Sequence, residues 1–299
     1  EKGAMNQLNQ SIKDYISLTK PRIMLLVIFS GITAAIMEGS LLQRPFDFFL
    51  AILALFFTGG SANAFNHYLE REKDARMLRT RKKRPLPSGR LKPGRALIFA
   101  IAIGVIGILI YGLHFNWLSA FLSFITIFFY AVIYTLLLKP HTYHNTVIGG
   151  AAGAMAPVGI WAAASGSLDI TPWTLFLIIF LWSPPHFWAL AISLKDDYKK
   201  ANLKMLPVLK GETETLRQIY FFSFLLFAAS ITPLLFHSGL IYLIIAVIAG
   251  LPFIRKAWNA KRTKKPKEIW GVFHYSIFYL FILLIGLIID AFFLIPLNG

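Results

Sequence analysis

The sequence predicts an all-α polytopic membrane protein of about nine spans, and three observations carry that reading. The chain is 57% hydrophobic with a mean hydropathy of +0.63, more apolar than a globular core of 299 residues requires. Its apolar residues lie in long runs near or above the ~20 residues that cross a bilayer as a helix. Its charged residues collect in a few connections between those runs.

In chain order the spans fall at about 23–38, 48–68, 96–113, 117–137, 146–164, 172–192, 218–237, 239–255 and 272–295. Several are short or closely joined, so the count is eight or nine. Glu1–Met5 reads as a cloning remnant before a start at Met5, and no cleavable signal or transit segment is expected in the short polar stretch before the first span. Residues 1–299 read as a single transmembrane domain. Its long polar connections are Glu70–Arg95, Leu138–Asn145, Lys195–Arg217 and Arg255–Gly271, whereas His114–Asn116 and His237–Gly239 are short and nearly uncharged.

Nine spans place the N-terminal tail and the four polar connections on one side. Of the 30 Lys and Arg residues, 29 then fall on that side and Arg44 on the other. The positive-inside rule makes the basic side cytoplasmic, in a bacterial cell membrane. The net charge of +16 therefore belongs to a membrane face, with no nucleic-acid partner expected. The run Arg79-Thr80-Arg81-Lys82-Lys83-Arg84 anchors that face to anionic lipid, and its field attracts anionic substrates. Cysteine is absent, which excludes a disulfide scaffold, a thiolate metal site and a cysteine nucleophile.

Chemistry concentrates where the second span ends. Asn66, Glu70 and Asp74 are four residues apart, so each step turns roughly 40° about a helix axis, and Asn63 falls within the same arc of roughly 80°. One helix face carries two amides and two carboxylates. Such hard oxygen ligands suit Mg²⁺, which takes one or two carboxylates and fills its remaining positions with water and substrate phosphate. The alternative is a wet helix end on which Glu70, Glu72 and Asp74 pair with Arg71, Lys73 and Arg76. Amides inside a span weigh towards function.

A second polar cluster closes the sixth span. His186, Ser193 and Asp197 share a face if that helix runs on unbroken, and Pro184-Pro185 is expected to kink or restart it just before His186. His186 is a candidate to meet a bound cofactor-like substrate, or else a hydrogen-bonded packing residue. Asp196 and Asp197 are candidates for a second metal ion, or else pair with Lys195, Lys199 and Lys200. The four-span separation of the two clusters suggests related halves facing across a central cavity, an arrangement able to clamp a diphosphate through Mg²⁺.

The pattern Asn66-x-x-x-Glu70-x-x-x-Asp74 resembles the first aspartate-rich motif of the UbiA-type intramembrane prenyltransferases. The stretches Leu18–Ile23, Asn63–Leu91, Asn145–Trp161, Pro185–Gly211 and Ser276–Leu280 resemble its protohaem IX farnesyltransferase (haem O synthase) branch. The resemblance implies nine helices around a central cavity and Mg²⁺-dependent transfer of farnesyl from farnesyl diphosphate to a vinyl group of haem B. Haem O would then supply a terminal oxidase, directly or through haem A synthase. Asn66, Glu70 and Asp74, with His186, would be catalytic, and Asn66, Glu70, Asp74, Asp196 and Asp197 metal-binding. Lys20, Arg22, Arg71, Arg79, Arg84, Lys139 and Lys195 are the diphosphate candidates. Asn63, Tyr68, Trp182, Phe187 and Trp188 are candidates for haem and prenyl contacts. The chain departs from the family pattern at Glu70 and Glu72, where aspartates are usual, at Pro140 in place of a common arginine, and at Asn202-Leu203-Lys204 in place of Gly-Ile-Pro. Two other readings fit the residues: a prenyltransferase with an aromatic or quinone-precursor acceptor, and a non-catalytic transporter or haem-binding protein.

Overall fold

The computed structural model describes residues 2–236 and 238–295. Glu1 of the expected remnant and His237 of the short loop lie outside the described residues. The helices, in order, are α1 Lys2–Leu18, α2 Pro21–Glu38, α3 Pro45–Leu69, α4 Arg71–Arg76, α5 Leu78–Arg81, α6 Pro93–Ile110, α7 Trp117–Phe128, α8 Asn145–Ser165, α9 Thr171–Ser193, α10 Lys195–Lys200, α11 Leu206–Leu209, α12 Gly211–Ala229, α13 Leu240–Thr263 and α14 Pro266–Phe292. Helix α6 continues as a π-helical turn over Tyr111–Phe115, and α7 as a longer π segment over Phe129–Leu138. Among the described residues, nine helices are long and apolar enough to cross a membrane.

Proline starts many of these helices. Pro21, Pro45, Pro93 and Pro266 stand at first-turn positions, where a missing N–H costs nothing and the fixed φ suits the helix. Gly39 closes α2 at φ 90°, a conformation that a side chain resists. Each long helix packs on its chain neighbour, and α14 closes onto α2 to complete a ring. Across the ring α2 packs on α8 and α9 on α14. The α3–α6 contact is close because Gly104 faces Ser61, whose hydroxyl donates to Ala100 O at 2.7 Å. A Cβ on Gly104 would stand 2.5 Å from Ser61 Oγ.

Three expectations change. The helices outrun the apolar segments at the basic face, so 255–271 is helical except at Lys264 and Lys265, and α12 begins at Gly211. Charged side chains at a helix end reach the headgroup layer while the backbone keeps its own hydrogen bonds. The polar N-terminal stretch is itself a helix, with Leu8, Ile12 and Ile16 exposed along one side and Asp14 paired with Arg90 at 3.1 Å on the other. An exposed apolar row of this kind suits the lipid interface. Finally, α9 runs through Pro184-Pro185 without restarting and ends instead at Leu194, where φ −110° and ψ 18° break the helix. Asp197 therefore sits on α10, beyond the break that ends the helix carrying His186.

Candidate active site

The amide and carboxylate face at the end of α3 is buried. Asn63, Asn66, Glu70 and Asp74 are 7%, 2%, 3% and 0% exposed. Glu70 leaves the α-helical region, yet Glu70 N still donates to Asn66 O at 3.0 Å and Asp74 N to Glu70 O at 2.8 Å. The four-residue spacing therefore survives the junction between α3 and α4.

The partners of these carboxylates are not their sequence neighbours. Lys139 Nζ lies 2.6 Å from Glu70 Oε1 and donates to Oε2 at 2.7 Å. The Arg84 guanidinium pairs with Asp74 Oδ2. Lys20 Nζ donates to Asn66 Oδ1 at 2.6 Å. The local pairing that would have made this a solvated helix end is confined to Arg71 and exposed Glu72, 3.5 Å apart. Asn63 holds α3 to the α1–α2 corner by donating to Thr19 O at 3.1 Å. That corner is strained: Lys20 adopts φ 52° and ψ 65° ahead of Pro21, which costs about 1–3 kcal/mol at a non-glycine residue.

Three basic side chains thus converge on two carboxylates, so the cluster carries one excess positive charge when Lys20 is protonated. Burial alone would raise the Glu70 carboxyl; Lys139, with Lys20 and Arg84, reverses this and holds it below its ordinary value. Burial also dominates at Asp74, which stays raised despite Arg84. For Lys20, burial and then repulsion from Arg84 depress the ammonium to about 7. A buried cluster with surplus positive charge is stabilised by an arriving anion.

One carboxylate oxygen is left over. Asp74 Oδ1 is buried and has no hydrogen-bond or ion-pair partner among the described residues, whereas Glu70 Oε1 is buried against Lys139 Nζ at 2.6 Å. An orphaned hard oxygen beside an ion-paired carboxylate on the same face fits a divalent cation such as Mg²⁺. No group of three or more His, Asp or Glu side chains with metal-binding geometry occurs among the described residues. The protein would therefore supply few ligands and leave the rest to phosphate and water.

The remaining candidates divide. Arg22 and Arg79 are exposed, and Lys195 makes no hydrogen bond or ion pair among the described residues. Charge alone had ranked them equal to Lys20, Arg84 and Lys139. Arg71 lies over the Tyr68 ring, 4.7 Å from its centroid, and donates to Tyr68 O. Asp196 is exposed. Asp197 accepts from Arg79 N at 3.2 Å and Leu78 N at 3.4 Å, the first N–H groups of α5. It ties the 195–217 connection to the 70–95 connection, beside an apolar contact of Met77, Ala191, Ala201, Leu203 and Met205. Asn202 adopts φ 53°, which explains why glycine is usual there and why asparagine serves.

On α9, His186 is sandwiched between Trp182 and Phe273, with ring centroids at 4.3 and 4.7 Å. Its Nδ1 lies 2.8 Å from Ser276 Oγ, and that hydroxyl donates to Phe273 O at 2.6 Å. Because the serine proton is committed, Nδ1 carries the imidazole proton and Nε2 keeps its lone pair. Trp182 Nε1 donates to Ser276 O at 2.7 Å. Phe187 is exposed, whereas Trp188 is buried with Nε1 unpartnered and packs edge-on against Phe222.

Sequence reasoning missed several residues of the cluster. Tyr130 and Tyr134 stack at 5.2 Å in the π segment, with Lys20 Nζ 6.0 Å and Lys139 Nζ 5.8 Å from their respective ring centroids. Thr135 accepts from Asn66 Nδ2 at 3.1 Å. His67 is buried with Nδ1 unpartnered. In sequence these residues read as parts of apolar runs. A hydroxyl or imidazole inside a span was the available signal.

Residues 25–285 match the UbiA prenyltransferase family. The chain is 42% identical over 283 residues to the protoheme IX farnesyltransferase of Synechocystis sp., covering 93% of this chain and 89% of that one. It is 41% identical to protoheme IX farnesyltransferase 1 of Pseudomonas putida, with coverage of 95% and 96%. Among solved structures, a UbiA homolog from Archaeoglobus fulgidus bound to DMAPP and Mg²⁺ is similar with TM-score 0.60 and 17% identity, covering 92% of this chain and 99% of that one. A digeranylgeranylglyceryl phosphate synthase is similar with TM-score 0.78 and 21% identity, with coverage of 95% and 100%. A buried cation–carboxylate cluster in a nine-helix ring, together with these likenesses, means that the chain belongs to the UbiA prenyltransferase family, in its protohaem IX farnesyltransferase branch.

Proposed function

We propose that the chain is a haem O synthase, transferring the farnesyl group of farnesyl diphosphate to a vinyl group of haem B and releasing diphosphate. The observation that carries this reading is the convergence of Lys20, Arg84 and Lys139 on Asn66, Glu70 and Asp74, with one oxygen of Asp74 free. The three cations would move onto the diphosphate oxygens. Glu70, Asp74 and Asn66 would hold Mg²⁺, which supplies charge neutralisation to the leaving group.

Farnesyl C1–O cleavage sends its electron pair to the departing diphosphate, and charge accumulates on oxygens that Lys20, Arg84 and Lys139 are placed to meet. The allylic cation needs an apolar surrounding that keeps water from it, and the stacked Tyr130–Tyr134 faces suit that charge. The haem vinyl carbon bonds to C1. Water then adds to the resulting cation and loses a proton, which yields the hydroxyethylfarnesyl group.

For the acceptor side, the Nε2 lone pair of His186, fixed by Ser276, supports a role facing haem, with Trp182, Phe187 and Trp188 as neighbouring wall. Asn63 and Tyr68 would line the prenyl side. The bias of 29 among 30 basic residues supports a cytoplasmic site in a bacterial cell membrane. Haem O would pass to haem A synthase or a terminal oxidase assembly.

The test is mass spectrometry of haem after the purified protein is incubated with haem B, farnesyl diphosphate and Mg²⁺. Formation of haem O with release of diphosphate is expected. Prenylation of an aromatic or quinone-precursor acceptor instead, or no diphosphate release at all, would overturn the reading.

A further inference from the structure

We infer that Thr135 is a positioning residue that fixes which way the Asn66 amide faces. This rests on the reading above, in which Asn66 Oδ1 meets the metal. An asparagine has an oxygen end and a nitrogen end of nearly equal shape, and only the oxygen ligates a cation. Two independent contacts assign the same orientation here. Lys20 Nζ is only a donor, so the atom 2.6 Å from it is Oδ1. At the other end, Thr135 Oγ1 gives its proton to Tyr130 O at 2.7 Å, so its lone pairs are left to accept from Asn66 Nδ2 at 3.1 Å.

The threonine can make both bonds because Phe129–Leu138 is π-helical. A π turn closes from residue i to i+5 and brings Thr135 over the carbonyl of Tyr130; an α turn would close one residue earlier. Thr135 is 1% exposed, so neither bond is exchanged with water. Without the hydroxyl, Asn66 Nδ2 is a buried donor with no partner, and a flipped amide would aim N–H groups at the cation.

The test is Mn²⁺ binding in the presence of inorganic pyrophosphate, followed by electron paramagnetic resonance on the purified protein. Thr135→Val, which keeps the shape and removes the hydroxyl, is expected to weaken Mn²⁺ binding about tenfold. Thr135→Ser is expected to restore it to within about twofold. In an Asn66→Asp background, whose carboxylate has no wrong face, the Thr135→Val loss is expected to vanish, whereas a packing role would cost the same factor in both backgrounds. If Thr135→Val fails to fold, Thr135→Ala takes its place in the cycle. Equal Mn²⁺ affinity in wild type and Thr135→Val, or an undiminished loss in the Asn66→Asp background, would overturn the inference. No Mn²⁺ binding by wild type would instead sink the metal-site reading beneath it.

Discussion

Removing Glu70 should damage stability and catalysis separately, and one pair of variants can divide the two. Glu70 and Lys139 are 3% and 15% exposed at their side chains, and Nζ stands 2.6–2.7 Å from both carboxylate oxygens. Glu70→Gln keeps the shape but strands the Lys139 ammonium in a buried site that already holds Lys20 and Arg84. Stranding one member of a buried pair costs about 3–5 kcal/mol, and the two further cations favour the upper end. Lys139→Met in the same molecule removes the stranded charge, and its thioether can lie against the Tyr134 ring that the ammonium now approaches at 5.8 Å. Replacing a buried pair with apolar groups is often neutral or stabilising. The double variant should therefore recover most of the stability lost by Glu70→Gln, measured by thermal unfolding in detergent. It should recover no farnesyl transfer in a single-turnover assay, because both a proposed metal oxygen and a proposed diphosphate contact are gone. A double variant as unstable as Glu70→Gln would refute the energetic coupling. One that turned over normally would refute the catalytic assignment.

Three further outcomes follow from the same geometry. Lys20, depressed to about 7 by burial and then by Arg84, is largely neutral at pH 8 and charged at pH 6. A diphosphate beside it favours the ammonium, so binding at pH 8 should take up as much as one proton, with affinity falling as pH rises above 7. Calorimetry of farnesyl diphosphate binding in buffers of different ionisation enthalpy reads this directly, and buffer-independent heats at pH 8 would refute it. Asp197→Ala should loosen the 70–95 connection and speed its proteolysis several-fold, whereas Asp197→Asn, whose single amide oxygen keeps one of the two bonds to the α5 N–H groups, should fall between that variant and wild type. Equal protection of all three proteins would remove the tie. His186→Ala should weaken haem binding in a spectroscopic titration while farnesyl diphosphate binding persists, and an unchanged haem affinity would reduce His186 to packing.

The part of the site legible in the sequence is the part that one helix carries. Asn63, Asn66, Glu70 and Asp74 could be placed together because helical periodicity alone sets their angles, and the structure keeps that face through the junction at Glu70. Their partners could not be ranked. Lys20, Lys139 and Arg84 reach the face from 46, 69 and 10 residues away, and nothing in local spacing separates them from Arg22 or Arg79. The fold was legible for the same reason, since span length and charge bias are properties of single segments, whereas α1 went unread because its apolar row is exposed and joins no core. Asp197 was read onto the wrong helix because periodicity carries no notice of the break at Leu194. Thr135 marks the limit most sharply. A regular 3.6-residue period turns residue i+5 roughly 140° away from residue i, so a helical wheel sets Thr135 apart from the Tyr130 carbonyl it binds. Only the π turn closes that gap, and a run as apolar as 129–138 gives no sign of the altered winding. The residue that orients a ligand of the proposed metal is therefore hidden by the periodicity that revealed the ligand.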